Sequence, residues 1–95
     1  MTETTAPETR ERRLKRLRIR SWRRGTREMD MLLGPFADRA LADLDEGLLA
    51  AYEELLEEND WDLYAWIAGR EPATLPHAAL IERIRDWHGL LDTPR

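Results

Sequence analysis

The chain has 95 residues, of which 42% are apolar and 36% charged, so it can form one hydrophobic core and is too short for a two-domain enzyme. No cysteine is present, which excludes disulfides, thiolate nucleophiles and thiolate metal sites. The net charge is -4, but residues 10–27 carry ten basic side chains against one acidic side chain, whereas residues 28–95 carry a net charge of -11. This asymmetry indicates an electrostatically attracted partner for the basic segment, either a nucleic acid or an acidic protein.

The N-terminal part of the sequence predicts a tail followed by a basic helix. Residues 1–8 are polar and lack periodicity, which is typical of a disordered tail. From Thr9 to Arg23 the chain contains neither glycine nor proline and is rich in helix formers. The apolar face of this helix is thin, so we expect it outside the core with most of its arginines in solvent. Acidic residues interrupt the basic start and no long apolar run follows, so we expect a cytoplasmic protein without a membrane span.

A tight joint is predicted between helix 1 and helix 2. Gly25 is a candidate left-handed cap for the end of the first helix, and Thr26 can cap the start of the second. Helix 2 carries the clearest apolar stripe of the chain, at Met29, Leu32, Leu33, Phe36, Ala37, Ala40, Leu41 and Leu44. Gly34 and Pro35 interrupt its course, which predicts a kink or a short break.

Two shorter helices are predicted next. Asp45 can cap helix 3, and Asn59 with Asp60 can begin helix 4, which Gly69 ends. Helix 3 also carries an acidic face that we expect to be solvated, consisting of Glu53, Glu54, Glu57 and Glu58.

The C-terminal part predicts a rigid connector and a fifth helix. Residues 71–76 contain two prolines, which fix the backbone and withhold donors, so helix 5 is expected to begin beyond them. No alternating strand pattern is present anywhere in the chain. The sequence therefore predicts an all-α fold, a compact five-helix bundle with a single domain at residues 9–91 and a short tail at residues 92–95.

The residues offer little equipment for catalysis or metal binding. Ser21 is the only serine and has no histidine near it in sequence, so it is a poor candidate nucleophile. His77 and His88 are separated by about 16 Å of helical rise on one predicted helix, which prevents joint ligation of a metal. We expect a structural or interfacial role for His88 and a surface position for His77. The sequence therefore predicts neither an enzyme nor a metal site.

The charged turn between helices 1 and 2 has two interpretations, and both remain open. In the structural one, arginines suit a helix end, a glycine terminates the helix, and acidic residues favour the start of the next. In the functional one, the turn presents guanidinium and carboxylate groups that recognise a partner through charge-assisted, bidentate hydrogen bonds. The candidate partner-binding residues are Arg23, Arg24, Gly25, Arg27, Glu28 and Asp30.

Two blocks of the sequence resemble a known family, the small FAD assembly factors for the flavoprotein subunit of succinate dehydrogenase, called assembly factor 2 in mitochondria. The first block, Trp22 to Phe36, reads WRRGTREMDMLLGPF and resembles the family's Arg-Gly-x-x-Glu motif followed by an apolar helix with a proline. The second block, Leu55 to Gly69, reads LLEENDWDLYAWIAG and is similar to the family's second pattern. The resemblance extends from about Arg13 to Trp87.

The resemblance implies a five-helix fold and a non-catalytic assembly role. Members promote covalent attachment of FAD to a histidine of the flavoprotein subunit of succinate dehydrogenase or fumarate reductase. Carried over to this chain, the functional positions are Arg24, Gly25 and Glu28, with Arg23 and Arg27 as flanking contacts. FAD would be the partner's cofactor and would not be stably bound by this chain, which we expect to be monomeric when free and not inserted in a membrane.

The alternative is a small helical nucleic-acid-binding protein that uses the basic helix at residues 10–27. Its charge would release counterions from phosphates. Against this, Trp22 is the only aromatic residue in the basic stretch, and the acidic remainder of the chain would repel phosphate. We therefore expect a protein partner and no nucleic acid.

Overall fold

The structure is a computed structural model that describes residues 8–90, and in that range it contains five α-helices, a short 3-10 helix and no strand. The elements are α1 (Arg10–Ser21), α2 (Arg27–Ala40), the 3-10 helix (Leu41–Asp43), α3 (Glu46–Leu55), α4 (Asp60–Ile67) and α5 (Leu75–Trp87). The all-α, five-helix prediction is confirmed. Apart from Glu8, the predicted tails at residues 1–8 and 92–95 lie outside the described residues. None of the described helices has the length and hydrophobicity required to span a membrane.

The predicted starts of α2, α3 and α4 are confirmed, and each is set by a local capping contact. The Thr26 hydroxyl accepts from the backbone N–H of Met29 at the start of α2. At α3 the Asp45 carboxylate accepts from an N–H three residues on, and at α4 the Asn59 amide oxygen does the same. Each cap satisfies a donor that the first turn of a helix cannot pair internally.

Several helix ends differ from prediction. Helix α1 ends at Ser21 instead of Arg23, so Gly25 lies in the linking turn and does not cap the helix. Helix α2 passes through Pro35 without a break, and its stripe continues past Ala40 into the 3-10 helix. Helix α5 starts inside the predicted connector because Pro76 lies in its first turn, where a missing N–H has no intrahelical acceptor to lose.

The core is formed by apolar side chains from all five helices. Its buried members are Leu17, Met29, Leu33, Phe36, Ala37, Leu41, Leu44, Leu49, Tyr52, Leu55, Leu56, Leu63, Trp66, Ile67, Leu80, Ile81 and Ile84. Helix α1 is less peripheral than predicted, because Leu17 and Ser21 are both fully buried. The Ser21 Oγ donates to the Leu17 carbonyl and accepts from the Tyr52 hydroxyl at 2.6 Å. Burial raises the pKa of Tyr52 above its ordinary value of 10.0, which keeps this hydroxyl a donor.

A ladder of ion pairs joins α1 to α3 and corrects two predictions. The contacts proceed in the same direction along both segments, from Arg10–Glu46 through Arg16–Glu53 (2.8 Å) to Arg20–Glu57 (2.7 Å), and Glu57 lies just beyond the end of α3. The two helices therefore run parallel. Four of the six arginines of α1, which were predicted mostly to meet solvent, are therefore paired, and the acidic face of α3 is only partly solvated. Local sequence patterns do not reveal this pairing, because the partners lie 33 to 40 residues apart in the chain.

The central carboxylate of this ladder makes stability depend on pH. Hydrogen bonding to Arg16, with further contributions from Arg13, lowers the pKa of Glu53 below its ordinary value of 4.5. Its stabilising contribution is therefore present above about pH 4.5 and is lost as pH falls through the lowered folded-state pKa. We expect Glu53→Gln to lose less stability than the wild type between neutral and acidic pH, measured by urea unfolding. Its exposed neighbour supplies the control: Glu54→Gln should behave as the wild type, and identical pH profiles for both variants would contradict the ladder.

Gly34 allows α1 to pack closely against α2. A Cβ at this position would lie 2.3 Å from the Trp22 indole, whose Nε1 donates to Asp38 at 3.1 Å. We expect Gly34→Ala to displace the indole and to lower the free energy of unfolding by about 1 kcal/mol, despite alanine's higher helix propensity. Gly47→Ala is the matched control because its Cβ would meet nothing closer than 3.5 Å, so it should be neutral or stabilising. Equal effects in thermal unfolding would contradict this packing.

The two histidines both tie α5 to the rest of the bundle. His77 is only 7% exposed, packs beside Trp66 and lies 3.0 Å from a Glu58 carboxylate oxygen, so the surface prediction is wrong. The reason is that it occupies the first position of the buried i, i+3, i+4, i+7 stripe of α5. His88 donates through Nε2 to the Leu32 carbonyl at 2.7 Å, in agreement with a structural role.

Candidate functional site

The turn between α1 and α2 is shaped by one glycine and one aspartate. Gly25 has a φ of +106°, a backbone conformation that other residues adopt only with strain. The Asp30 carboxylate accepts from the backbone N–H of Arg24 at 2.7 Å and so fixes the turn to the first turns of α2. A Cβ on Gly25 would meet no atom within 4 Å, which leaves its outer side open.

Arg24 clamps this turn to the junction of α3 and α4. Its Nη1 donates to the Leu56 carbonyl at 2.6 Å and its Nη2 to the Glu58 carbonyl at 2.7 Å. Its Nε donates to an Asp60 carboxylate oxygen at 2.9 Å. The side chain is only 12% exposed. The planar guanidinium therefore satisfies carbonyls at the end of α3 and a carboxylate at the start of α4 together.

The six candidate residues consequently separate into two groups. Arg24 and Asp30 point into the chain's own structure, so a direct contact of the Arg24 guanidinium with a partner, as the sequence analysis assumed, does not fit its geometry. The remaining four are exposed and form no salt bridge with any residue in the range 8–90, namely Arg23, Gly25, Arg27 and Glu28. The structural and the functional interpretation of the turn are thus divided between different residues.

Trp61 extends the exposed group across to α4. Its side chain is 83% exposed, and with Glu28 it lines a depression of about 470 Å³. Arg23, Gly25 and Arg27 line a second depression, and both depressions include Thr26. We call the surface formed by Arg23, Gly25, Arg27, Glu28 and Trp61 the corner surface.

Trp61 is not among the candidate residues taken from the sequence, although the sequence carried a signal for it. Helix α4 buries Leu63, Trp66 and Ile67, and position 61 lies on the opposite side of a helix with 100° per residue. A tryptophan outside the buried stripe is a candidate anchor for a partner, since tryptophan and arginine are enriched among residues that dominate binding energy.

The chemistry of the corner surface suits recognition of another polypeptide. Its two guanidinium groups can donate forked hydrogen bonds to a partner, its one carboxylate can accept hydrogen bonds from a partner, and its indole offers apolar contact area. Thr26 begins α2 beside them, so the positive end of that helix supports the Glu28 carboxylate. Residues 8–90 contain no cluster of three side chains able to hold a metal ion. Ser21, the one serine, is buried and hydrogen-bonded within the core.

Comparison with known proteins assigns a family to this chain. The family described as "Flavinator of succinate dehydrogenase" matches residues 15–88, a range that contains the whole corner surface. The chain is 45% identical over 62 residues to "Succinate dehydrogenase assembly factor 2, mitochondrial" of Drosophila grimshawi. The alignment covers 63% of this chain and 42% of that relative. It is 41% identical over 66 residues to the protein of the same name from Schizosaccharomyces pombe. That alignment covers 70% of this chain and 48% of the relative. The chain thus spans less than half the length of these curated relatives. No solved structure matches it.

The comparison also corrects the expected location. A cytoplasmic protein was expected from the sequence, but these relatives are mitochondrial by name, so that expectation is wrong.

The range that matches the family is longer than half of the chain and includes both sequence blocks that carried the resemblance. The chain therefore belongs to the flavinator family of succinate dehydrogenase, the family of its assembly factor 2.

Proposed function

We propose that this protein binds the flavoprotein subunit of succinate dehydrogenase, or of fumarate reductase, through the corner surface and promotes its covalent flavinylation. The bond would form between the partner's own histidine and the partner's own FAD. This chain would hold no FAD stably and would contribute no reacting atom. The observation that carries the proposal is the corner surface itself, in which the exposed residues of the Arg-Gly-x-x-Glu motif adjoin an exposed tryptophan.

In this proposal Arg24 is a positioning residue. Its contacts with Leu56, Glu58 and Asp60 hold the turn in one place relative to α4. That arrangement keeps Glu28 and Trp61 on one surface before a partner arrives, which lowers the ordering cost of binding. Gly25 presents open backbone between Arg23 and Arg27, so a partner's main chain can approach closely there.

The proposed mechanism is a shift of the partner's conformational population. If the corner surface binds more tightly to the conformer in which histidine and flavin are aligned, that conformer becomes more populated and the attachment accelerates. The gain equals the difference in binding free energy between the two conformers. The corner surface needs no contact with the flavin.

Reconstitution tests the proposed function. The flavoprotein subunit, prepared without covalent flavin, is incubated with FAD in the presence or absence of this protein. Covalently bound flavin is then read by in-gel fluorescence after denaturation. We expect a stoichiometric complex and a faster rise of covalent flavin with the protein present. An unchanged rate together with no complex would contradict the proposal, and stronger binding to generic nucleic acid in moderate salt would favour the nucleic-acid alternative.

A further inference from the structure

The basic side chains of α1 and the following turn fall into two sets. One set is compensated by carboxylates within the chain, namely Arg10, Arg13, Arg16, Arg20 and Arg24. The other set forms no salt bridge with any described residue, and consists of Arg12, Lys15, Arg18, Arg23 and Arg27. At 100° per residue the helical members of the second set lie on the side of α1 turned away from α3. The uncompensated charge is therefore concentrated on the outer side of α1.

This outer side is a groove with an apolar floor. It encloses about 700 Å³ and is lined by Glu11, Arg12, Lys15, Arg18, Ile19, Trp22, Arg23 and Asp38. Ile19 is 45% exposed and Trp22 is 37% exposed, and these two side chains are the apolar part of the lining, which we call its floor. We call it the α1 groove. Four cations face two carboxylates there, so its field attracts an acidic ligand while its floor favours an apolar side chain.

The charge distribution of the whole chain decides which acidic ligand fits. Residues 28–95 carry a net charge of -11, which repels a long polyanion such as a nucleic acid that extends beyond the groove. A short acidic stretch of polypeptide can remain within the groove and place an apolar side chain against Ile19 and Trp22. A nucleic-acid backbone has no such aliphatic side chain to bury.

The α1 groove is continuous with the corner surface. Trp22 and Arg23 line the groove and also line the depression that contains Gly25 and Arg27. We propose that the α1 groove binds an acidic segment, carrying an apolar side chain, of the same flavoprotein subunit that the corner surface engages. This inference rests on the proposed function and adds a second point of attachment to it, which accelerates encounter through long-range attraction.

Charge reversal in the groove tests the inference. Biolayer interferometry follows the association of this protein with immobilised flavoprotein subunit at about 50 mM and about 300 mM salt. Three forms are compared: the wild type, the groove variant Arg12→Glu/Lys15→Glu, and the variant Arg39→Glu/Arg83→Glu. The last variant is the matched control, since both arginines are exposed, lie outside the groove and form no salt bridge among the described residues. We expect the groove variant to associate about tenfold more slowly at low salt, with the difference shrinking at high salt. The control should stay within about twofold of the wild type.

The outcomes separate this inference from the proposed function. If the wild type forms no complex at all, the proposed function fails. If the complex forms but the groove variant and the control associate at the same rate, the corner surface survives and the groove assignment falls. Two further results would overturn the assignment: displacement of the flavoprotein by an equimolar thymidine oligonucleotide, or a wild-type dimer that the groove substitutions dissociate.

Discussion

Replacing Arg24 with alanine is expected to lower the free energy of unfolding by about 3 kcal/mol, because two carbonyls and a carboxylate lose a largely buried charged donor at once. The turn would detach from the α3–α4 junction, so covalent flavinylation of the partner should fall as well. Arg24→Lys should lose most of the same stability, since an ammonium cannot reproduce the planar fork. Urea unfolding of purified protein measures the change.

Arg23 supplies the control for that result. It precedes Arg24 in the chain, is exposed, and forms no salt bridge within residues 8–90, so Arg23→Ala should change stability by no more than about 0.5 kcal/mol. If both variants unfold at the same urea concentration as the wild type, Arg24 does not clamp the turn.

Glu28→Gln should differ from Arg24→Ala in its effect on stability: the free energy of unfolding should be nearly retained, while covalent flavinylation should fall at least about tenfold. The carboxylate is exposed and forms no salt bridge among the described residues, so its loss removes only a modest helix-dipole contribution of about 0.5 kcal/mol. In the complex, the same carboxylate would accept charge-assisted hydrogen bonds worth about 1.5–3 kcal/mol. Initial rates of covalent flavin formation, compared with thermal unfolding of the free protein, measure both parts.

Glu82→Gln is the matched control for Glu28. Glu82 is exposed on α5, remote in sequence from the turn, and its substitution makes the same change in net charge. Flavinylation at the wild-type rate with Glu28→Gln, or an equal loss with Glu82→Gln, would refute the role given to Glu28.

Local features of the fold were predictable from the sequence because their partners are close in the chain. The caps at Thr26, Asp45 and Asn59 each involve an N–H three residues away, and Gly69 ends α4 with a φ of +79° as its position indicated. The apolar stripe of α2 also matched burial, although Pro35 did not break the helix. Helix count and most boundaries follow from such short-range patterns.

Long-range pairing was not predictable from the same patterns. Arg24 looked like an exposed motif residue, and only the fold brings Leu56, Glu58 and Asp60 to it, 32 to 36 residues along the chain. For the candidate site, the sequence pointed to the turn between α1 and α2 but not to the division between residues that hold the turn and residues that face outward. The outward position of Trp61 could be read from the stripe of α4, but its proximity to Glu28 on another helix needed the three-dimensional structure.

In the proposed function, the residues of the turn would divide into those that hold its structure and those that contact the partner. Gly25 and Asp30 set the backbone path, and Arg24 fixes it against two other helices. The outward-facing residues therefore need no stabilising role of their own, so in the proposed function they are available to contact a partner. This is the physical basis for expecting substitutions at positions 24 and 28, only four residues apart, to differ in their effect on the free energy of unfolding.

Amide hydrogen exchange of the protein, alone and in complex with the flavoprotein subunit, tests the contact most directly. We predict that binding slows exchange in peptides that contain Gly25 to Glu28 and the start of α4 at Trp61, where these residues are exposed in the free protein. A complex that protects other parts of the chain and leaves both of these peptides unchanged would contradict the assignment of the corner surface.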